Sequence, residues 1–220
     1  MMQLIQPLVN GCLLLALSCA TWGAQAQAQW TLKTDEDGIR LYTRSVAASP
    51  YKELKTVCTL HTSLSSVAAV LLDVERTKEW VYGTSSSRIL QQESPSAVWF
   101  YAEMGMPWPV TNRDFIVRIS LTQEPVSKVI TVLADNQPDF LPETKKLVRI
   151  RHSSGKWRIE PLPGGRVRVE YQLYVDPGGN VPAALVNAFA GKGPVESFRS
   201  LRKQVARKEY ATAALPFVQN

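Results

Sequence analysis

Few side chains in this sequence have the chemistry of a catalytic group. The two histidines are His61 and His152, and neither belongs to a cluster with the spacing of metal ligands. The chain has no Gly-x-Ser-x-Gly nucleophile motif and no Gly-x4-Gly-Lys-Ser/Thr phosphate loop. A Cys58–His pair remains an open alternative for nucleophilic catalysis, and Glu103 could accept a ligand hydroxyl if it points inward. The residue types therefore favour binding over catalysis, with no metal and no cofactor.

The most distinctive segment is the loop that runs from Met104 to the start of a strand at Arg113. Pro107 and Pro109 flank Trp108, and a proline has a fixed φ and no amide hydrogen, so neither fits inside a helix or a sheet ladder. We expect a rigid loop that presents the indole to a ligand or to the underside of a helix.

The first 28 residues have the composition of a secretory signal peptide. No charged side chain precedes Lys33, residues 8–20 are mostly apolar, and the small residues that end at Ala28 offer cleavage sites. An uncleaved anchor and a lipoprotein that begins at Cys19 are the alternatives. After removal of the leader Cys58 is the only cysteine, and no Asn-x-Ser/Thr sequon occurs, which favours export to a bacterial periplasm.

The charge pattern argues against nucleic acid as the partner. The formal net charge is +6 and the pI is about 9.3, but no run of five to eight Lys or Arg residues occurs. Basic residues recur along one side of the last predicted helix, at Lys192, Arg199, Lys203 and Arg207. Transient contact of this side with an anionic membrane surface is one interpretation, and an ordinary solvated helix face is the alternative.

Hydrophobic periodicity predicts strands at both ends of a short helical region, and a long helix at the C-terminus. The fold class is α+β, a layer arrangement in which the long last helix covers a curved antiparallel sheet, with two short helices. The predicted strands are 29–35, 39–44, 51–60, 88–93, 97–104, 113–123, 128–134, 147–159 and 166–175. The predicted helices are 63–72, 75–82 and 182–210, the last with a break at 191–194.

The order and spacing of several short motifs along the chain resemble those of a START domain of bacterial exported type. This domain is the lipid-binding module of the Bet v 1-like superfamily. The matching residues run from Trp30 to about Arg202, and they include Asp37-Gly38-Ile39, Trp80, Met106 to Phe115, Gly155-Lys156-Trp157, Asp176 to Gly179 and Pro194. The predicted organisation is then a leader of 1–28, a START-like domain of 29–210 and a tail of 211–220. The resemblance implies the helix-grip fold, in which the curved sheet wraps around the last helix. It also implies a hydrophobic tunnel that encloses one lipid-like molecule, with the C-terminal helix as its lid.

One departure from the family pattern bears on the ligand. Several START proteins that bind phospholipid or sterol have an arginine six residues after the arginine of the Arg-Asp-aromatic motif. Counted from Arg113, that position is Ile119 in this chain. Arg118 is one residue away, and neighbouring residues of a strand face opposite sides, so we expect Arg118 to point outward and the strand to lack a phosphate anchor.

The predicted ligand site combines inward strand positions, the proline-flanked loop and the underside of the last helix. Solid core packing is the alternative for the aromatic members. The residues are Trp80, Tyr101, Glu103, Trp108, Phe115, Val117, Ile119, Trp157, Tyr171, Leu185, Phe189 and Phe198.

We therefore expect a monomeric carrier of one hydrophobic small molecule or lipid, without enzymatic activity, whose helix opens at Gly191 and Gly193. The first alternative is an enzyme of the same superfold, resembling the polyketide cyclases and aromatases, which requires Glu103 or a histidine inside the cavity. The second is a protein-interaction module whose pocket is filled by side chains.

Overall fold

A computed structural model describes residues 28–220, apart from the side chains of residues 188 and 189, so residues 1–27 of the predicted leader lie outside the described residues. One sheet contains the ten strands of the described part. They are β1 (Thr31–Glu36), β2 (Ile39–Ser45), β3 (Lys52–His61), β4 (Thr84–Ser94), β5 (Ala97–Met104), β6 (Arg113–Gln123), β7 (Ile130–Asn136), β8 (Val148–Arg149), β9 (His152–Leu162) and β10 (Arg166–Asp176).

The strands pair in the order β1-β2-β3-β10-β9-β7-β6-β5-β4, and every neighbouring pair is antiparallel. The two-residue β8 pairs parallel to β6, so the strand predicted over 147–159 is in fact divided into β8 and β9. The first hairpin turns at Asp37 and Gly38, both of which have positive φ, as a tight turn between antiparallel strands requires.

Four helices accompany the sheet. α1 (Leu64–Leu72) begins at Ser63, whose side chain accepts a hydrogen bond from the amide of Ser66, and a 3-10 helix (Val74–Glu79) follows it. α2 (Ala183–Gln204) is followed by α3 (Lys208–Ala211). None of the helices in residues 28–220 is long and apolar enough to span a membrane.

The predicted break in the last helix at 191–194 is wrong, because α2 is continuous through Pro194. The proline removes one helical hydrogen bond, the one to the carbonyl of Ala190. The following turn holds nonetheless, since the Ser197 hydroxyl donates to the carbonyl of Gly193 at 2.9 Å and accepts from the amide of Tyr82 at 3.0 Å. This pair of bonds ties the middle of α2 to the segment before β4.

The concave face of the sheet packs against α1 and the C-terminal half of α2. Phe198, Leu201 and Val205 are at most 4 % exposed, and they cover inward residues of β3, β7, β9 and β10 that are equally buried. We call this part of the concave face the closed half. Its inward strand residues are Cys58, Leu60, Ile130, Val132, Ile159, Val167 and Val169.

The last residues of the chain pack back on α1. Val218 is buried, and the Asn220 side chain accepts a hydrogen bond from the amide of Ser65 at 2.9 Å. Gln219 forms two further bonds to the side chain of Gln123 at the end of β6. The tail thus joins the first turn of α1 to the far end of the sheet.

Candidate functional site

An aromatic cluster fills the space between the sheet and α2. The Trp157 ring stacks on Tyr171 with centroids 3.9 Å apart and lies parallel to Phe198 at 5.7 Å. Trp80 meets Trp157 edge to face at 6.1 Å. Four predicted site residues therefore contact one another directly, and over the closed half the interior is occupied by their rings.

Gly155 determines where the Tyr171 ring can lie. A Cβ on this glycine would stand 3.0 Å from the Tyr171 hydroxyl and 3.0 Å from the Cβ of Ala134. The ring therefore lies across bare backbone, and its hydroxyl is next to Ala134 of β7. Burial alone raises the pKa of Tyr171, which keeps the phenol protonated.

The other end of the concave face is only partly covered, and we call it the open half. It lies where β5, β7 and β10 end and β6 begins, and its inward residues are half-buried: Met104, Phe115, Ala134, Asn136, Ser153, Tyr171, Leu173 and Val175. Most of these side chains are apolar. An apolar surface that its own chain covers incompletely is suited to a hydrophobic guest.

The N-terminal half of α2 spans the open half. The helix starts just after the end of β10, and by Gly193 it has reached the ring of Tyr82, which precedes β4. Leu185, on this half of the helix, is half-buried. The side chain of Phe189 lies outside the described residues, so its predicted role stays a prediction.

On β6 the inward positions from Phe115 to Leu121 are apolar. Phe115, Val117 and Ile119 pair with inward residues of β5, and Phe115 meets Phe100 edge to face at 6.2 Å. Arg118 points to the convex face, where it forms an ion pair with Glu93 at 2.6 Å. The guanidinium, with help from the Trp99 indole, lowers the pKa of Glu93 to about 2.

Tyr101 and Glu103 lie on the convex face, away from the other predicted site residues. Their partners across the sheet are Ile116 and Asp114, both on the side opposite Phe115. The Tyr101 hydroxyl donates to the Glu103 carboxylate at 2.9 Å, and burial together with this carboxylate raises the pKa of the phenol. A ligand on the concave face therefore cannot reach either residue.

The loop around Trp108 is held by hydrogen bonds at its base and exposes its tip. The amide of Met106 donates to the side chain of Asn112, and the amide of Val110 donates to the carbonyl of Pro107, both at 2.9 Å. The Trp108–Pro109 peptide bond is cis. Trp108 is 93 % exposed, so its indole contacts solvent and not the ligand space.

The Arg113-Asp114 pair fixes the two loops that border the open half. Arg113 is 2 % exposed and donates to the carbonyls of Thr111, Pro177 and Gly178, the last two in the segment that leads into α2. Asp114 forms a buried two-bond ion pair with Arg149, whose guanidinium also donates to carbonyls of the loop after β7. Arg113 and Arg149 therefore hold backbone segments in place, and neither of their guanidinium groups points at the open half.

Some buried polar atoms have no hydrogen-bond partner within the described residues. These atoms are Trp80 Nε1, Thr84 Oγ1, Asn136 Oδ1 and Gln204 Oε1. An unpaired buried polar group costs about 1–3 kcal/mol, so each is a position where a ligand or a water molecule would be stabilising. Asn136, which the sequence did not single out, stands on the open half, and Thr84 pairs with Met104 at its edge.

The candidate catalytic residues are not assembled into a site. His61 and His152 are exposed, and burial raises the pKa of Cys58 to about 12, so its thiol stays protonated and unreactive. Within residues 28–220 no group of three or more His, Cys, Asp or Glu residues could hold a metal ion. Two surface clefts, of about 420 and 460 Å³, lie away from Tyr171, Phe115 and Asn136.

Sequence comparison supports the identification of the fold. A family model of the START domain matches residues 20–210. An uncharacterised protein of Pseudomonas aeruginosa is 31 % identical over 195 residues, which cover 87 % of this chain and 96 % of that protein. The phosphatidylcholine transfer protein of Rattus norvegicus is 28 % identical over 176 residues, which cover 78 % of this chain and 80 % of the relative.

Structural comparison gives the same result. The STAR-related lipid transfer protein from Xanthomonas axonopodis superposes with a TM-score of 0.75 at 30 % identity, over 81 % of this chain and 99 % of that one. Human StAR-related lipid transfer protein 5 superposes with a TM-score of 0.67 at 17 % identity, over 82 % and 87 % of the two chains, which is a likeness of fold.

Proposed function

This chain belongs to the START domain family, and from that premise we propose that it binds one hydrophobic, lipid-like molecule and carries or presents it. The molecule lies on the open half of the concave face, beneath the N-terminal half of α2. Relatives named as lipid transfer proteins support the general activity. The place of the ligand is inferred from the geometry of this chain.

The observation that carries the proposal is the contrast between the two halves of one sheet face. In the closed half the inward residues are at most 3 % exposed, whereas the inward residues of β10 from Tyr171 to Val175 are half-buried. Leu173 and Val175 are apolar and belong to the same strand as the fully packed Val167 and Val169. The chain thus has apolar surface that only a guest or a movement of α2 would bury.

Apolar burial supplies most of the binding free energy in this proposal. Each buried methylene of the ligand contributes about 0.8 kcal/mol, before the costs of association. Because the open half is continuous with the aromatic cluster, a ligand chain would contact Phe115 and Tyr171 on the sheet side. The enclosed tunnel implied by the family resemblance stays a prediction, and in this proposal it forms when α2 closes over the ligand.

We assign the role of lid to the N-terminal half of α2. Arg113 holds the segment before the helix, and the bonds of Ser197 hold its middle. Between these two fixed points the helix contains Gly191, Gly193 and the missing hydrogen bond at Pro194. Movement about this stretch would uncover the open half without disturbing Phe198 and the closed half.

Exchange of the lipid requires contact with a membrane, and we propose that the open end makes this contact. Trp108 stands at this end with its indole in solvent, and Lys192 is exposed on the lid. Of the basic residues on the helix, Arg199 is already paired with Glu36 and Asp37, so its charge is less available to an anionic surface. We further infer a monomer that works in a bacterial periplasm, on the basis of the predicted leader and the single buried Cys58.

The enzymatic alternative required an acid or base inside the cavity. Glu103 lies on the convex face and both histidines are exposed, so the residues on which that alternative depended are not on the concave face.

A matched pair of charge substitutions tests the placement of the ligand. Leu173→Glu places a carboxylate on the open half, and Leu133→Glu places the same group on the convex face, where Leu133 is 40 % exposed. A carboxylate is costly to bury against an alkyl chain, so we expect Leu173→Glu to weaken binding more than about tenfold and Leu133→Glu to leave it unchanged. The measurements are titration with a fluorescent dodecanol and native mass spectrometry of co-purified lipid.

Thermal unfolding of both variants provides the control for folding. Equal affinity of two folded variants for the fluorescent dodecanol would show that the ligand does not lie on the open half.

A further inference from the structure

Two uncharged polar groups lie at neighbouring inward positions of the open half, whose remaining side chains are apolar apart from Ser153. One is the Tyr171 hydroxyl, which lies beside Ala134 of β7. The other is the side-chain carbonyl of Asn136, two residues further along the same strand and therefore on the same face, about 6.6 Å on. Polar groups in such a surface fix the orientation and identity of a ligand.

The orientation of the Asn136 amide is set by its surroundings. Its Nδ2 donates to the carbonyl of Ile150 at 3.2 Å, which a flipped amide could not do because two oxygens would then face each other. The Oδ1 atom is therefore the free end, and it is buried without a donor. Its accessible area is below 1 Å², so a ligand O–H or N–H group would reach it when the cover above it moves.

The Tyr171 hydroxyl complements this acceptor. None of the side-chain hydrogen bonds of the described residues involves it, whereas the hydroxyl of Tyr174, on the convex face of the same strand, is bonded to Ser49 at 2.9 Å. A protonated phenol donates one hydrogen bond and accepts others. Together with Asn136 it provides one donor and one acceptor, the pair that a single hydroxyl group satisfies.

On the four strands around Tyr171 the open half offers no free partner for a charged head group, and the exposed Lys52, two residues before the inward Leu54, is the cation of that parity on β3. At the inward positions of β6 from Phe115 to Leu121, and of β7, β9 and β10, Tyr171 is the one ionisable side chain. Arg113 is the nearest inward cation along β6, and its guanidinium is engaged by three backbone carbonyls. A phosphate placed here would be desolvated without a counter-charge, which costs far more than burial of a hydroxyl.

We propose that the open half selects a lipid with an uncharged, hydroxyl-bearing head, which donates a hydrogen bond to Asn136 Oδ1 and accepts one from the Tyr171 hydroxyl. This inference rests on the proposed function and goes beyond it, because it names the class of ligand as a lipid alcohol. It also separates this chain from relatives whose names specify phosphatidylcholine.

Three probes that share one fluorescent dodecyl chain and end in a hydroxyl, a methyl ether or a phosphate test the inference. The ether keeps the acceptor oxygen and loses the donor. We expect the alcohol to bind most tightly and the phosphate at least about tenfold more weakly. Asn136→Ala should weaken the alcohol about 3- to 10-fold and leave the ether unchanged.

Tyr171→Phe keeps the stack on Trp157 and removes only the donor. It should weaken both the alcohol and the ether by about 3- to 10-fold. Tyr174→Phe, which removes a hydroxyl from the convex face of the same strand, is the matched control and should change neither affinity.

The outcomes separate this inference from the proposed function. Equal affinity of the wild-type chain for the alcohol and the phosphate, or no change with either variant, would overturn the lipid-alcohol inference and leave the carrier function intact. Binding of none of the three probes, with no lipid in the native mass spectrum, would remove the carrier function and this inference with it.

Discussion

At the level of single residues, strand alternation was sufficient to predict which side chains point inward, provided that one face of the strand is polar. On β6 it separates Ile119 from Arg118, and the structure places the isoleucine inward and the arginine outward. The physical reason is that only the outward position allows the guanidinium to keep water and a carboxylate. The identity of that carboxylate, Glu93, could not be predicted, because it comes from a different hairpin.

Alternation failed on β5, where both faces are apolar. The ring of Phe140, from the loop after β7, packs on Trp99 at 4.8 Å and so covers the convex face as well. The residue pattern of β5 therefore does not indicate which side of this strand faces the ligand. Tyr101 was assigned to the site and the direction of Glu103 was left open for this reason.

The ion pair of Arg118 leads to a prediction about pH. The pKa of Glu93 is lowered to about 2, from about 4.3 in an unfolded chain. Because the folded value is the lower one, the pair stabilises the fold above pH of about 4.3, and its contribution is lost as the pH falls towards about 2. An NMR titration of the Glu93 carboxyl should give this low midpoint.

Arg118→Ala should raise that midpoint towards the unfolded value, and Arg151→Ala, a distant arginine variant, should not move it. A Glu93 midpoint near 4.3 in the wild-type chain would contradict the ion pair.

At the level of elements, the long helix shows the limit of local propensity. Gly191, Gly193 and Pro194 are poor helix formers, and their cluster predicted a break. The helix continues because Phe198 and Leu201 anchor the following turns in the core, and burial outweighs propensity. Contacts between residues distant in sequence, which decide such cases, cannot be read from a window of neighbours.

Two glycine-to-alanine substitutions in α2 separate the effect of backbone flexibility in the helix from the effect of its packing against Tyr82. A Cβ on Gly191 meets no atom within 4 Å, so Gly191→Ala should raise the free energy of unfolding by about 0.5–1 kcal/mol and slow the release of fluorescent dodecanol. A Cβ on Gly193 would stand 3.3 Å from the Tyr82 ring, so Gly193→Ala should give a smaller gain or none. Urea unfolding and stopped-flow exchange measure the two effects.

Unchanged release from a stabilised Gly191→Ala variant would show that the lid does not move about this glycine.

At the level of the whole molecule, the order of elements along the chain could be predicted, but the order of the strands within the sheet could not. The pairing of β3 with β10 joins segments more than a hundred residues apart, and no local pattern specifies it. The same holds for the C-terminal tail, which was predicted as a segment outside the domain. Its side chains complete the start of α1, a helix that forms at the other end of the described chain.

Removal of the tail should therefore lower global stability. A chain that ends at Leu215 loses the buried Val218 and the Asn220 bond to the amide of Ser65, which we expect to cost about 2–4 kcal/mol in the free energy of unfolding. Asn220→Ala, which removes only the bonds of this side chain to the amide and hydroxyl of Ser65, should cost about 1 kcal/mol. Urea denaturation measures both, and equal stability of the truncated and full chains would contradict the role of the tail.

Bare backbone at Gly155 has an evolutionary consequence. A Cβ there would crowd the phenol of Tyr171, so a descendant that acquires alanine at position 155 must shift the tyrosine ring by a few tenths of an ångström, and one that acquires a larger residue must replace the tyrosine. The two sites are thus expected to mutate as a linked pair across related genomes. Lineages that switched cargo would then be recognisable by the simultaneous loss of both residues.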